Sequence, residues 1–154
     1  NPIVTMIFAL RRQISPGLTA RFIVVQCLGG ILGVWVAHAM FGLPILQTST
    51  HIRTGQSQWI AETVASFGLI MAILGAINAK ANVAATVAAY ITAAYWFTAS
   101  TSFANPAVAL ARSLTDTFSG IRPQDVPGFL AAEIVGAVVA MAVAGWLFSG
   151  RDPA

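Results

Sequence analysis

At 154 residues, 57% of them apolar and 8% charged, the chain cannot coat a globule with the charge of a soluble domain, about a quarter of all residues. Its net charge of +3, from eight Arg and Lys against five Asp and Glu, is too small and scattered for a nucleic-acid footprint. One cysteine, Cys27, excludes an internal disulfide framework and offers no metal cluster, and no cofactor motif is present.

Lipid is therefore the solvent over much of the surface, and the length suggests one domain, residues 1–154. The chain begins with Asn, and no signal peptide with a basic flank is visible, so an N-terminal truncation is expected.

In chain order, residues 1–12 form an apolar half-helix opened by Asn1-Pro2 and closed by Arg11 and Arg12. Ten residues rise only about 15 Å, half of a bilayer core. Ser15-Pro16-Gly17 breaks the chain, and residues 18–41 are the first full span. Gly29, Gly33 and Ala37 share one face of it, where another backbone can approach closely. His38, near the end of this span, reads as interfacial. Residues 42–58 are a polar loop holding Pro44, His51 and Arg53. Spans follow at 59–78, with Glu62 near its start, and at 83–98, with a tight polar turn around Lys80 between them. Residues 99–104 are a small-residue re-entrant stretch, and 105–115 form a second half-helix opened by Asn105-Pro106-Ala107. A polar loop with Gly120 and Pro123 leads to the last span, 126–148, and a polar tail. Trp59, Trp96 and Trp146 stand at span ends, where aromatic belts sit.

The chain repeats itself. Residues 22–41 overlay 129–148 at an offset of 107: Phe22 meets Phe129, Gln26 meets Glu133, and Gly29, Gly33 and Ala37 fall on Gly136, Ala140 and Ala144. Residues 1–10 overlay 105–114 at an offset of 104, matching Asn, Pro, Val and Leu. In the second copy two spans, about 46 residues, precede the half-helix, and the same is expected ahead of Asn1. Three spans per repeat make the repeats inverted, so the half-helices enter the membrane from opposite sides. With the first entering from the cytoplasm, Arg11, Arg12, Arg21, Lys80 and Arg151 lie inside, and Arg53, Arg112 and Arg122 outside.

An Asn-Pro pair is by itself a helix N-cap followed by a good first helical residue. Here both pairs open helices too short to span, so two helix starts meet inside the membrane, where irregular backbone must be buried or line a cavity. Their positive ends repel cations, hydronium included. With the side-chain oxygen committed to the cap, the N–H groups of Asn1 and Asn105 point into a pore and donate to a solute oxygen. Glu62 and Glu133 are the acids within spans; a structural role, with Glu62 accepting from a re-entrant loop and Gln26 and Glu133 bracing the half-helices, fits them better than proton coupling.

On Asn1-Pro-Ile-Val-Thr, Phe103-Ala-Asn-Pro-Ala107, Glu62 and the Gln26/Glu133 pair, the chain resembles the aquaporin/glycerol-facilitator (major intrinsic protein) family. Residues 95–107 and 111–121 look like a bacterial branch associated with arsenic resistance. The resemblance implies an all-α membrane bundle of six spans and two half-helices, here four spans with the first two missing. It also implies a homotetramer, when full length, in the bacterial inner membrane, with a pore lined by Asn1, Pro2, Asn105, Pro106 and Ala107. It assigns the constriction to Ala93, Ser102 and Val108, with a fourth residue on a missing span. The family usually carries arginine at the position of Val108, and Asn-Pro-Ala where this chain has Asn-Pro-Ile. A wide filter without arginine points to glycerol-like polyols, urea, or neutral metalloid hydroxides such as arsenous acid (arsenite), with water as a further permeant. Arg112, one turn on, either charges the outer vestibule or pairs with Asp116; the pair is preferred.

A passive channel for neutral solutes is the leading expectation. An ion-coupled transporter also uses broken helices and inverted repeats, but needs more ionisable groups in the membrane. A non-conducting fragment is the third reading, and an enzyme the least fitting, because no nucleophile–base pair is visible.

Overall fold

Helix starts in this chain are written into its caps. In the computed structural model, which describes residues 1–149, Asn1 accepts from the Ile3 N–H (3.2 Å) and opens α1, Pro2–Leu10. Ser15 caps α2, Pro16–Met40, and Asn82 caps α4, Val83–Phe97. Asn105 accepts from both Ala107 and Val108 and opens α5, Pro106–Arg112. Prolines occupy the first turns of α1, α2 and α5, where the missing N–H costs nothing. The remaining helices are α3, Gln56–Asn78, and α6, Val126–Phe148, the latter led in by a 3₁₀ turn over Pro123–Asp125. Arg151, placed on the inner side by the charge pattern, and the polar tail lie outside the described residues.

Two expectations change. Among the described residues three helices are long and apolar enough to cross a membrane: Pro16–Met40, Gln56–Asn78 and the continuous Pro123–Phe148. The span expected over 83–98 is a helix of 15 residues, rising about 22 Å, and from Thr98 the chain runs on without helix to Asn105. The second half-helix ends at Arg112, not residue 115. The Ser113 hydroxyl turns back to the Leu110 carbonyl (2.7 Å), and Thr115 and Asp116 bond outside the helix.

The core is the α3–α6 pair. On α6 the ladder Gly136, Ala140, Ala144 is buried, and a Cβ added at Gly136 would run into the Thr63 carbonyl. That closeness lets the Thr63 hydroxyl stand 3.3 Å from the Ala132 carbonyl. Gly136→Ala is therefore expected to cost about 1–3 kcal/mol by overpacking, read as a lower melting temperature in detergent; an unchanged midpoint would contradict this contact.

The half-helices cross between the repeats. α5 packs on α2, where a Cβ at Gly30 would stand 3.1 Å from the Ala107 carbonyl oxygen. α1 packs on α6, and Ile3 and Ile7 are buried in one cluster with Ala137 and Ala140. Position 137 is the repeat mate of 30, and Ile3 and Ile7 are the mates of Ala107 and Ala111. The larger Ile3 is thus seated against small residues of α6. The inverted repeat read from the sequence is the geometry of the fold.

Candidate functional site: the meeting point of two half-helices

α1 runs from Asn1 toward the end of the bundle where Arg11 lies beside Asn78 and Ser149. α5 runs the other way, toward the loops that carry Arg53 and Arg122. Their starts touch: Asn1 Nδ2 donates to the Ala104 carbonyl at 2.7 Å. One of the two Asn1 N–H groups is therefore spent on the other loop, and one remains, where the sequence reading had both free. The first helical turn is tied to α2 by Gln26, whose Nε2 donates to the Thr5 hydroxyl (2.9 Å).

The second loop is held by acids. Glu62 accepts from the Phe103 and Ala104 N–H groups at 2.9 and 2.8 Å, and Glu133 from the Asn105 N–H at 2.9 Å. Both glutamates are fully buried, so these bonds form away from water, where an unpaired donor is expensive. Three consecutive amides are satisfied by two carboxyl groups from α3 and α6. The need for them is conformational. Thr101, Ser102 and Ala104 all have positive φ (63, 50 and 44°), a region non-glycine residues adopt only under constraint.

A cavity of about 470 Å³ runs past this junction. Asn1, Asn105, Ser102 and Val108 line it, together with Leu69 and Ile73 of α3. The Ser102 hydroxyl is buried without a protein partner. Pro2 and Ala107 are buried behind the junction, while Pro106 is half-buried. From α4 the cavity takes Val87, Ile91 and Tyr95, one residue per turn. Ala93, assigned to the constriction by position, is exposed and lies two residues from both Ile91 and Tyr95, turned to a different face of α4.

Two further placements differ from the sequence reading. His38, read as interfacial, is turned into the protein. It is 2% exposed, its Nδ1 lies 2.9 Å from the Ile45 carbonyl and its Nε2 2.8 Å from the Thr115 hydroxyl. Arg112 does not pair with Asp116, which instead accepts from the Thr50 N–H and hydroxyl (2.8 and 2.9 Å), bonds that hold its carboxyl below the usual range. The guanidinium carbon of Arg112 sits 4.3 Å from the Phe103 ring centroid, and Arg112 lines the cavity.

Sequence reasoning missed Arg53. It lies in what read as an ordinary polar loop, yet it staples three segments. Its Nε, Nη1 and Nη2 donate to the Gly120, Ser100 and Phe118 carbonyls at 2.7, 3.3 and 3.0 Å, and its own N–H donates to Asp125 (2.9 Å). Its guanidinium carbon also stands 5.1 Å from the Phe103 ring. No local signal marks it, because its partners are carbonyls about 50 to 70 residues away. Arg53→Met removes three hydrogen bonds from a charged donor and is expected to cost about 2–4 kcal/mol. Protease cleavage within residues 113–122 should become faster; equal rates would refute the staple.

No family model and no solved structure matches the chain. Among characterised proteins it is similar to aquaglyceroporin AqpS of Rhizobium meliloti (strain 1021), with 53% identity over 154 residues, 99% of this chain and 66% of that protein. The chain thus spans about two thirds of the length of that relative. Two Asn-capped half-helices meeting head to head, inside an inverted repeat of apolar helices, are the architecture on which that identity falls, and the chain belongs to the aquaglyceroporin family of membrane channels within the major intrinsic proteins.

Proposed function

We propose that the chain forms the greater part of a passive pore for small uncharged solutes, and that the junction of α1 and α5 is its selective centre. The observation that carries this is the 2.7 Å contact between Asn1 and Ala104 beside the lined cavity. It sets two helix starts against each other and leaves amide N–H groups for solute oxygens. Helix starts are electropositive, so cations meet a barrier while neutral hydroxyl-bearing molecules meet donors. Ser102 and Val108 flank the junction and set its width. Val108 presents a short apolar side chain, which favours polyols of glycerol size, urea and neutral metalloid hydroxides such as arsenous acid over a strict water filter. The bacterial inner membrane as the setting and a homotetramer as the assembly belong to this reading.

Repeat symmetry supports two further spans completing the wall. On α6 the ladder Gly136, Ala140, Ala144 takes α3. Its mate on α2, Gly29, Gly33 and Ala37, has no such partner among the described residues: a Cβ at Gly29 or Gly33 would meet nothing within 4 Å. A helix related to α3 by the repeat fits that face. Gly29→Leu in the full-length protein is then expected to lower the melting temperature as far as Gly136→Leu does. Tolerance of Gly29→Leu alone would count against the added helix.

The function is tested in proteoliposomes of the full-length protein. Glycerol and urea uptake should exceed that of empty vesicles by tenfold or more, and should persist when ion gradients and membrane potential are abolished. Strict dependence on either would mean ion coupling and overturn the channel reading.

A further inference from the structure

We propose that Arg112 is the pore's fixed cation: from one turn beyond Val108 it excludes cations at the outer end and donates to the paired oxygens of a hydroxylated neutral solute. This deepens the channel reading and rests on it. Val108 and Arg112 are four residues apart on α5 and so share a face. Helical side chains lean toward the N-terminus, which carries the long Arg112 side chain back over the first turn. There its guanidinium carbon lies 4.3 Å from the Phe103 ring centroid, within cation–π reach. Arg112 lines the central cavity with Asn1, Asn105 and Val108, and also lines both neighbouring cavities, one beside His38 and Thr115 and one beside Arg53 and Trp96. It thus stands where the central cavity opens toward the loops.

The two arginines on Phe103 divide the work. Arg53 commits three of its guanidinium N–H groups to loop carbonyls. Arg112 has no carboxylate: among the described residues the one ion pair is Arg122–Asp125 (2.9 Å), and Asp116 is turned to Thr50. Its polar neighbour across the cavity is Tyr95. An arginine held by an aromatic face, with no ion-pair partner among the described residues, offers a planar fork of donors to two adjacent oxygens.

The test compares wild type, Arg112→Met, Arg112→Gln and Arg112→Lys in full-length protein, in vesicles holding a pH-sensitive dye. Glycerol uptake and proton leak are measured on the same preparation. Methionine keeps a long stem against Phe103 and glutamine keeps donors without charge, so either one that folds reads the charge. Loss of charge is expected to raise proton leak about tenfold in both variants, glycerol uptake to fall in Arg112→Met, which has no donors, and to fall less in Arg112→Gln, which keeps them, and lysine to restore the barrier. Wild-type leak in a folded Arg112→Met or Arg112→Gln channel that still carries glycerol would overturn the role of Arg112 alone. A wild type that carries no glycerol would overturn the channel reading, and this proposal with it.

Discussion

Glu62→Ala is expected to unfold the second re-entrant loop and abolish solute flux. The carboxylate satisfies the Phe103 and Ala104 N–H groups at 2.9 and 2.8 Å, inside a site where Glu62 itself is 0% exposed. Each buried donor left without a partner costs about 1–3 kcal/mol, so the pair amounts to roughly 2–6 kcal/mol. The strain of positive φ at Thr101, Ser102 and Ala104 is then no longer opposed. Relaxation of Ala104 also removes the acceptor of Asn1, so damage in one repeat passes to the other. Glu62→Gln keeps one acceptor oxygen but points an NH₂ group at an N–H donor, and should fall between wild type and alanine. Melting temperatures in detergent and glycerol uptake in vesicles check the series. Equal melting temperatures for wild type and Glu62→Ala would refute this account.

Val108→Arg is the second large effect. Valine sits on the cavity wall with Asn105 and Ser102, and arginine there adds bulk and charge to a cavity of about 470 Å³. It also places two cations at i and i+4 on α5, facing Arg112, an arrangement that repels. Uptake of glycerol and urea is expected to fall at least tenfold, a barrier increase of about 1.4 kcal/mol, with water flux reduced less. The double change Val108→Arg with Arg112→Met separates the two causes: partial recovery points to repulsion, none to bulk. Unchanged glycerol uptake in Val108→Arg would remove Val108 from the filter.

Much of the architecture was legible because its signals are local. Proline after asparagine, runs of apolar residues and the Gly29/Gly136 correspondence are properties of neighbours in sequence or of a repeat; the first two map onto caps and helices, and Gly136 onto a packed face. Glu62 was legible for a similar reason: a buried acid in an apolar span needs donors, and the strained loop offers them. The face of α4 that meets the cavity was not, since the rotation of a helix depends on what it packs against. Position alone chose Ala93, whereas the cavity meets Ile91 and Tyr95.

By itself, then, the sequence determined that two half-helices begin with Asn-Pro inside an inverted apolar repeat, because caps and periodicity are written in adjacent residues. Only the tertiary structure decided where the charges at the end of the bundle that carries Arg53 and Arg122 go. Asp116 takes Thr50 as its partner, leaving Arg112 to lie on Phe103, and Arg53 reaches across to distant carbonyls. Each of these pairs residues from separate segments, and a charged side chain with several partners of comparable strength is assigned by the loops packed around it.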